Sequence, residues 1–248
     1  MLLYFFLSTA NFEPQVDKAK AYVLEQDLLS GYIAFSKSLD ELPLKNNERL
    51  SLTENEIFDE LYALYLLDDG QGKQLEDAVL KAVSDHPEFK SLLFFKAALL
   101  ANSGATCAFF DTFKSVYVLY PEHPLAFKIR GSIAHRIFEL SPDLEKRDEW
   151  RAVSINFFLK SFALKPEDVS LISRVVLLSR PDEQKMLFSK LLPALSMVEK
   201  PPARRQCWVL LEIASQNASK DDLKELSGLM RKWFPQSRFL DEWERRNT

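Results

Sequence analysis

The sequence predicts an all-α protein, an array of about six helical hairpins closed by a C-terminal helix. Three observations predict it. The 248 residues include 6 glycines, where ordinary usage of about 7% gives roughly 17. Turn-rich β folds need glycine for left-handed turns, and nucleotide folds need it where backbone approaches phosphate, so both are disfavoured. Next, Pro43, Pro87, Pro121, Pro166, Pro201 and Pro235 fall at intervals of 44, 34, 45, 35 and 34 residues. A proline blocks helix continuation and restricts the residue before it, so this ladder punctuates helical pairs. Finally, 47% hydrophobic and 27% charged residues suit a packed core and exclude wholesale disorder.

In chain order, residues 1–11 form an apolar N-terminal segment, Met1-Leu-Leu-Tyr-Phe-Phe-Leu-Ser-Thr-Ala10 followed by Asn11. It reads either as the tail of a signal sequence, with Ser8-Thr9-Ala10 suiting cleavage, or as a helix capping the array. The first reading makes the protein exported and the second cytoplasmic. The run is too short to span a bilayer. The first hairpin covers 12–43. An insert, Leu44–Thr53, precedes the second hairpin at 56–89, and the third follows at 90–123. These two align at a spacing of 34: Ala63 with Ala97, Gly70 with Gly104, Val79 with Phe113, Ala82 with Val116, Pro87 with Pro121. Small residues admit a neighbouring helix, glycine ends the first helix in a tight turn, and a bulky residue in the second fills the gap.

The fourth hairpin spans 124–168 and keeps Gly131, Phe158, Ser161 and Pro166 around a second insert, Ser141–Trp150. The fifth, 169–202, places Val169, Ile172, Val175, Val176 and Leu178 on one helical face. Leu187, Leu191, Leu192 and Leu195 follow in its second helix, where Pro193 is expected to kink or end the helix. The sixth, 203–236, pairs Trp208, Leu211 and Ala214 with Leu223, Leu226, Met230 and Trp233. Residues 237–248 form the cap, with Phe239, Leu240 and Trp243 turned inward. The inserts are candidate binding appendages, although polar loops of that length are tolerated at little entropic cost.

The first hairpin carries a recognisable pattern: Ala21-Tyr22, Asp27 at the turn, Gly31, Phe35, Ser38 and closing Pro43. With the helix alanines, turn glycines and prolines of 56–89 and 90–123, it resembles the tetratricopeptide repeat (TPR) family over residues 12–168, and by spacing to 236. The first-helix Trp/Leu-Gly signature is missing, and Leu75 and Phe109 replace a small residue. The resemblance implies a TPR-like solenoid, a right-handed α-α superhelix whose first helices line a concave groove. Carried over by register, that groove comprises Glu13, Val16, Lys20, Val23 and Leu24; Ile57, Glu60, Leu64, Leu67 and Asp68; and Ser91, Phe94, Ala98, Ala101 and Asn102. It is apolar with an acidic rim, which favours a protein or peptide bearing Leu/Phe anchors and some Lys/Arg. The same residues also suit packing against the chain's own Leu2–Leu7.

Charge and chemistry narrow the function. The net charge of −4 disfavours a nucleic-acid partner held through phosphates. Residues 1–90 carry 17 Asp/Glu and 8 Lys/Arg, an acidic half that reads as solvated faces or as a surface for a basic partner. Cys107 and Cys207 read as buried free thiols, and the histidines lack metal spacing, so no metal or cofactor is expected. Catalytic motifs are missing. Asp68-Asp69 and Asp221-Asp222 are adjacent carboxylates about 100° apart on a helix, and they read as solvated helix-end charges. Phe94, Phe95, Phe109, Phe110 and Phe113 read as inter-helix core. The function expected is a non-enzymatic scaffold or adaptor, chaperone-like or otherwise. The alternative is a structural subunit or assembly factor of an envelope or secretion complex, using the convex face or the inserts. Membrane association is expected only if residues 1–10 belong to a signal or anchor.

Overall fold

The computed structural model describes residues 13–45, 49–67, 70 and 72–247, and among them the chain is all-helical. Thirteen α-helices follow one another: α1 (Glu13–Leu24), α2 (Leu28–Glu41), α3 (Leu52–Leu67), α4 (Lys73–Asp85), α5 (Leu93–Asn102), α6 (Thr106–Tyr117), α7 (Pro124–Leu140), α8 (Leu144–Leu164), α9 (Ser170–Leu178), α10 (Pro181–Ser196), α11 (Arg204–Asn217), α12 (Lys220–Trp233) and α13 (Arg238–Asn247). A single 3₁₀ turn, Lys90–Leu92, leads into α5. Helices α1 to α12 fall two by two along the expected hairpin ranges, with α3 beginning at Leu52, inside the expected 44–53 insert, and α13 falls in the range expected for the cap. The N-terminal run Met1–Ala10 lies outside the described residues.

The hairpin turns share a device. Gly70 and Gly104 both adopt φ of +77°, the left-handed geometry that glycine takes at no steric cost and that satisfies the carbonyls at a helix end. In the first hairpin the same position is Gln26, at φ 65°. Each of the three stands 17 residues before its proline, Pro43, Pro87 or Pro121. Asp27 then caps α2, its carboxylate accepting from Ser30 N–H. The Ser30 hydroxyl, and then that amide, hold the Asp27 carboxyl below its ordinary pKa.

The chain divides into two compact units, Met1–Ser154 and Ile155–Thr248, with the boundary inside α8. Within the first unit the hairpins do not pack in simple chain order. Hairpin α1–α2 packs on α6 and α7, whereas α3–α4 packs on the 3₁₀ turn and α4 also on α5. Phe35 of α2 stacks on Phe110 of α6 at 4.0 Å between ring centroids and meets Phe109 and Phe113 edge-on. The link from α2 to α3 runs beside α6, where Lys45 N–H donates to Val118 O at 3.0 Å. The period-breaking stretch Leu44–Thr53 thus supplies the chain that separates the first hairpin from the second; no appendage is needed to explain it.

Helix α7 ties this unit together. Arg130 donates to Tyr117 Oη at 2.8 Å and to Asp40 of α2, and Lys128 lies 4.6 Å over the ring of Tyr65 from α3. His123 caps α7, its Nδ1 accepting from Leu125 N–H, while its ring stacks on Phe94 and meets Phe58 edge-on. Buried Glu54 of α3 accepts from the Ser91 hydroxyl at 2.6 Å, joining the second hairpin to the third.

Several expectations change. Ser141–Trp150 is not a loop: Leu144 onward is the beginning of α8, started by Asp143 accepting from Glu145 N–H. Ala63 is exposed, so it admits no neighbouring helix, whereas Ala97 is buried. Helix α10 continues through Pro193 to Ser196; Pro193 is solvent-facing there. Gly31 does mark a close approach, because a Cβ there would lie 2.8 Å from Val23 Cγ2.

In the second unit the expected apolar faces form the core, with Leu187, Trp208 and Leu223 only half-buried. Val169, Ile172, Val175, Val176, Leu191, Leu192, Leu195, Leu211, Ala214, Leu226 and Met230 are all buried. Asp222 is not the solvated helix-end charge expected. It is buried, accepts from Ser189 Oγ at 2.9 Å and from Ser219 Oγ at 2.6 Å, and so joins α10 to α12. Helix α13 closes the end of this unit: Leu240 and Trp243 are buried, and Phe239 stacks on Trp208 at 4.6 Å.

Candidate interaction surface

The groove expected along α1, α3 and α5 is not assembled as one surface. On α1, Val16 is 1% exposed, a core residue rather than a groove-lining one. Lys20 faces α6, bonding Asp111 at 3.1 Å and Asp17 of its own helix at 2.9 Å. These carboxylates raise the Lys20 pKa above its ordinary value. Val23 packs against Gly31, and Leu24 is exposed. The cause is the packing order: α1 meets α6, so its inner face is spent on the third hairpin.

On α3, Glu60 and Leu67 are exposed, while Ile57 and Leu64 are half-buried. Asp68 and Asp69 lie outside the described residues, as does the Glu13 side chain. On α5, Phe94 is wholly buried, stacked beneath His123, and is removed from the candidate surface. Ser91 is buried on Glu54. Ala98 is half-buried; Ala101 and Asn102 are exposed. The C-terminal ends of α3 and α5 are joined where Asn102 Nδ2 donates to Gly70 O at 2.8 Å.

That junction opens onto a cleft of about 340 Å³ between α4 and α5, lined by Gly70, Glu76, Leu80, Lys96, Leu99, Leu100, Asn102 and Ser103. Three α5 residues, Lys96, Leu99 and Leu100, fall on one side of the helix at 100° per residue, with the C-cap Ser103 beyond them, and Ala98 and Ala101 fall on the other. Leu80 is 53% exposed, and Leu99 and Leu100 are half-buried. Glu76 on α4 and Lys96 on α5 are the charged groups of the lining. Of the residues expected from sequence, Asn102 alone borders this cleft.

The signal for the cleft was present in the sequence of α5, Leu-Phe-Phe-Lys-Ala-Ala-Leu-Leu-Ala-Asn. Apolar side chains on a helix are ordinarily turned toward the core. Here one side, Phe94, Phe95 and Ala97, is in the core, while Leu99 and Leu100 remain accessible.

Elsewhere the aromatic run behaves as expected: Phe94, Phe95, Phe109, Phe110 and Phe113 are core residues. Cys207 is buried, but Cys107 is only half-buried, its thiol 4.0 Å from Lys20 O. Among the described residues, no group of three His, Cys, Asp or Glu side chains is placed to hold a metal ion, and no helix is long and apolar enough to cross a membrane. No family model, curated protein or solved structure matches this chain.

Proposed function

We propose that the protein is a non-enzymatic interaction scaffold whose α4–α5 cleft receives an apolar segment of a partner polypeptide. The observation that carries this reading is α5, whose core side holds Phe94, Phe95 and Ala97 while Leu99 and Leu100, on either side of Lys96, are left facing Leu80 across the cleft. Burying such surface is the main favourable term in association, at about 25 cal/mol per Å². An open apolar floor rimmed by Glu76, Lys96 and Asn102 has the anatomy of a docking site, with leucines for affinity and polar groups for orientation. At about 340 Å³ the cleft is at the small end of ligand pockets. It suits a few anchoring side chains of a longer chain. A TPR-like repeat ancestry is part of this proposal, supported by left-handed residues at a constant offset from Pro43, Pro87 and Pro121.

The test is retention of stoichiometric partners from the native source by the Leu80→Lys/Leu99→Lys double variant. An equally folded Leu24→Lys variant, altered at an exposed leucine outside the cleft, serves as the control. The expected result is loss of a partner that wild type and the control both retain. Full retention by the double variant overturns the proposal.

A further inference from the structure

The two charged groups that line the α4–α5 cleft are left without partners on the chain. Lys96 is half-buried and Glu76 is exposed, and among the described residues neither side chain takes part in an ion pair or hydrogen bond. Other half-buried cations of this chain hold carboxylates: Lys20 with Asp17 and Asp111, Lys165 with Glu167, Arg231 with Glu244. The two groups also sit at different places along the cleft. Helix α5 runs antiparallel to α4, because the 3₁₀ turn that starts it packs on α4, while Asn102 at its other end is tied to Gly70, just ahead of α4. Glu76, in the first turn of α4, therefore stands at the Asn102 and Ser103 end. Lys96 is seven residues before Ser103, about 10 Å along the helix axis. The cleft is thus apolar in its middle, negative at one end and positive at the other.

We propose that its occupant is an amphipathic helical segment carrying an acidic residue for Lys96, a basic residue for Glu76, and leucine-type anchors between them. The proposal rests on the reading of this cleft as a docking site and adds what the partner must carry. Desolvation supplies the reason. Covering Leu80, Leu99 and Leu100 strips water from Lys96, which stands between Leu99 and Leu100 on the surface of α5. A cation that loses water and gains no carboxylate opposes association. Glu76 stays closer to solvent, so a cation there contributes direction more than affinity, and a second carboxylate is repelled. On a helix, residues i and i+7 are about 10 Å apart on one face, with i+3 and i+4 between them for the leucines. That pattern matches the cleft end to end.

The experiment applies a carbodiimide, which joins an amine directly to a carboxylate, to the full chain with its partners in extract of the native source. Isopeptide links are then mapped by mass spectrometry. The expected result is a link from Lys96 to an Asp or Glu of a second polypeptide. A Lys or Arg should stand roughly three to eight residues from that acid, with Leu, Ile, Met or Phe between. Retention of the linked partner should fall roughly five- to tenfold with Lys96→Gln and persist with Lys96→Arg, while Glu76→Lys should weaken it as well. Full retention by Lys96→Gln, beside loss in the Leu80→Lys/Leu99→Lys variant, overturns this inference and leaves the docking site standing; full retention by both overturns both. A link from Lys96 to a second copy of this chain, a linked segment without the basic residue, or a bound fatty acid in place of a polypeptide also overturns it.

Discussion

Gln26 occupies a position that the second and third hairpins give to glycine, with its backbone at φ 65°. A side chain in that region costs about 1–2 kcal/mol, against the 0.5–1 kcal/mol that glycine's extra freedom costs on folding. Gln26→Gly is therefore expected to raise stability by up to about 1 kcal/mol in denaturant unfolding. Gly104→Ala should lower it by up to about 1 kcal/mol, since a Cβ there meets nothing within 4 Å and only the backbone terms count. Gly70→Ala should cost more, because its Cβ would lie 2.6 Å from the Tyr65 ring. Cys207 gives a pH signature. Burial pushes its thiol up to about 12, so the folded state keeps its proton at pH values where the unfolded chain releases it. Stability from this group is complete below about pH 9 and declines by about 1.4 kcal/mol per unit as pH rises toward 12. Cys207→Ala should lower overall stability by opening a cavity yet remove this part of the alkaline slope. An unchanged slope contradicts the assignment. The turn glycines were legible because glycine scarcity makes each one informative; Gln26 was not, because nothing in a glutamine announces a left-handed backbone.

At the scale of elements, a buried carboxylate is one of the contacts between the second and third hairpins. Ser91→Ala deprives Glu54 of its 2.6 Å hydroxyl partner and leaves it only the longer backbone contact, at 3.4 Å. The expected cost is about 1–3 kcal/mol in denaturant unfolding. A change under half of that would mean that α3 is held by its aromatic contacts, Phe58 on Phe95 and His123. Helix existence was legible nearly throughout, since apolar spacing and proline position act locally. The Ser141–Trp150 stretch was read as a loop because its charges and Pro142 interrupt the apolar pattern. Charged residues are nonetheless good helix formers, and Asp143 caps the helix that contains most of them. The α5 face was misassigned for a related reason. Repeat register put Phe94, Ala98 and Ala101 toward the groove, but the aromatic packing beneath His123 turns Phe94 inward and leaves Leu99 and Leu100 over the cleft.

At the scale of the whole chain, proline spacing and apolar periodicity gave the all-helical character, whereas packing order within the first unit was beyond them. An apolar stripe identifies which side of a helix is buried, not which helix buries it. The ten-residue link between α2 and α3 is long enough, at about 3.3 Å per residue, for the first hairpin to reach α6 and α7 while α3–α4 packs on the 3₁₀ turn and α4 on α5. Lys45, bonded to Val118 at the end of α6, fixes that route. This arrangement dismantles the groove expected from register and leaves the α4–α5 cleft as the accessible apolar site of the third hairpin. The most direct measurement is crosslinking in the native source from a photo-reactive residue at Leu99, with exposed Leu24 as the reference position. The scaffold account predicts one dominant adduct with a second polypeptide from Leu99, absent from Leu24 and lost when Leu80 becomes lysine. Equal adducts from both positions, or none from Leu99, would contradict it.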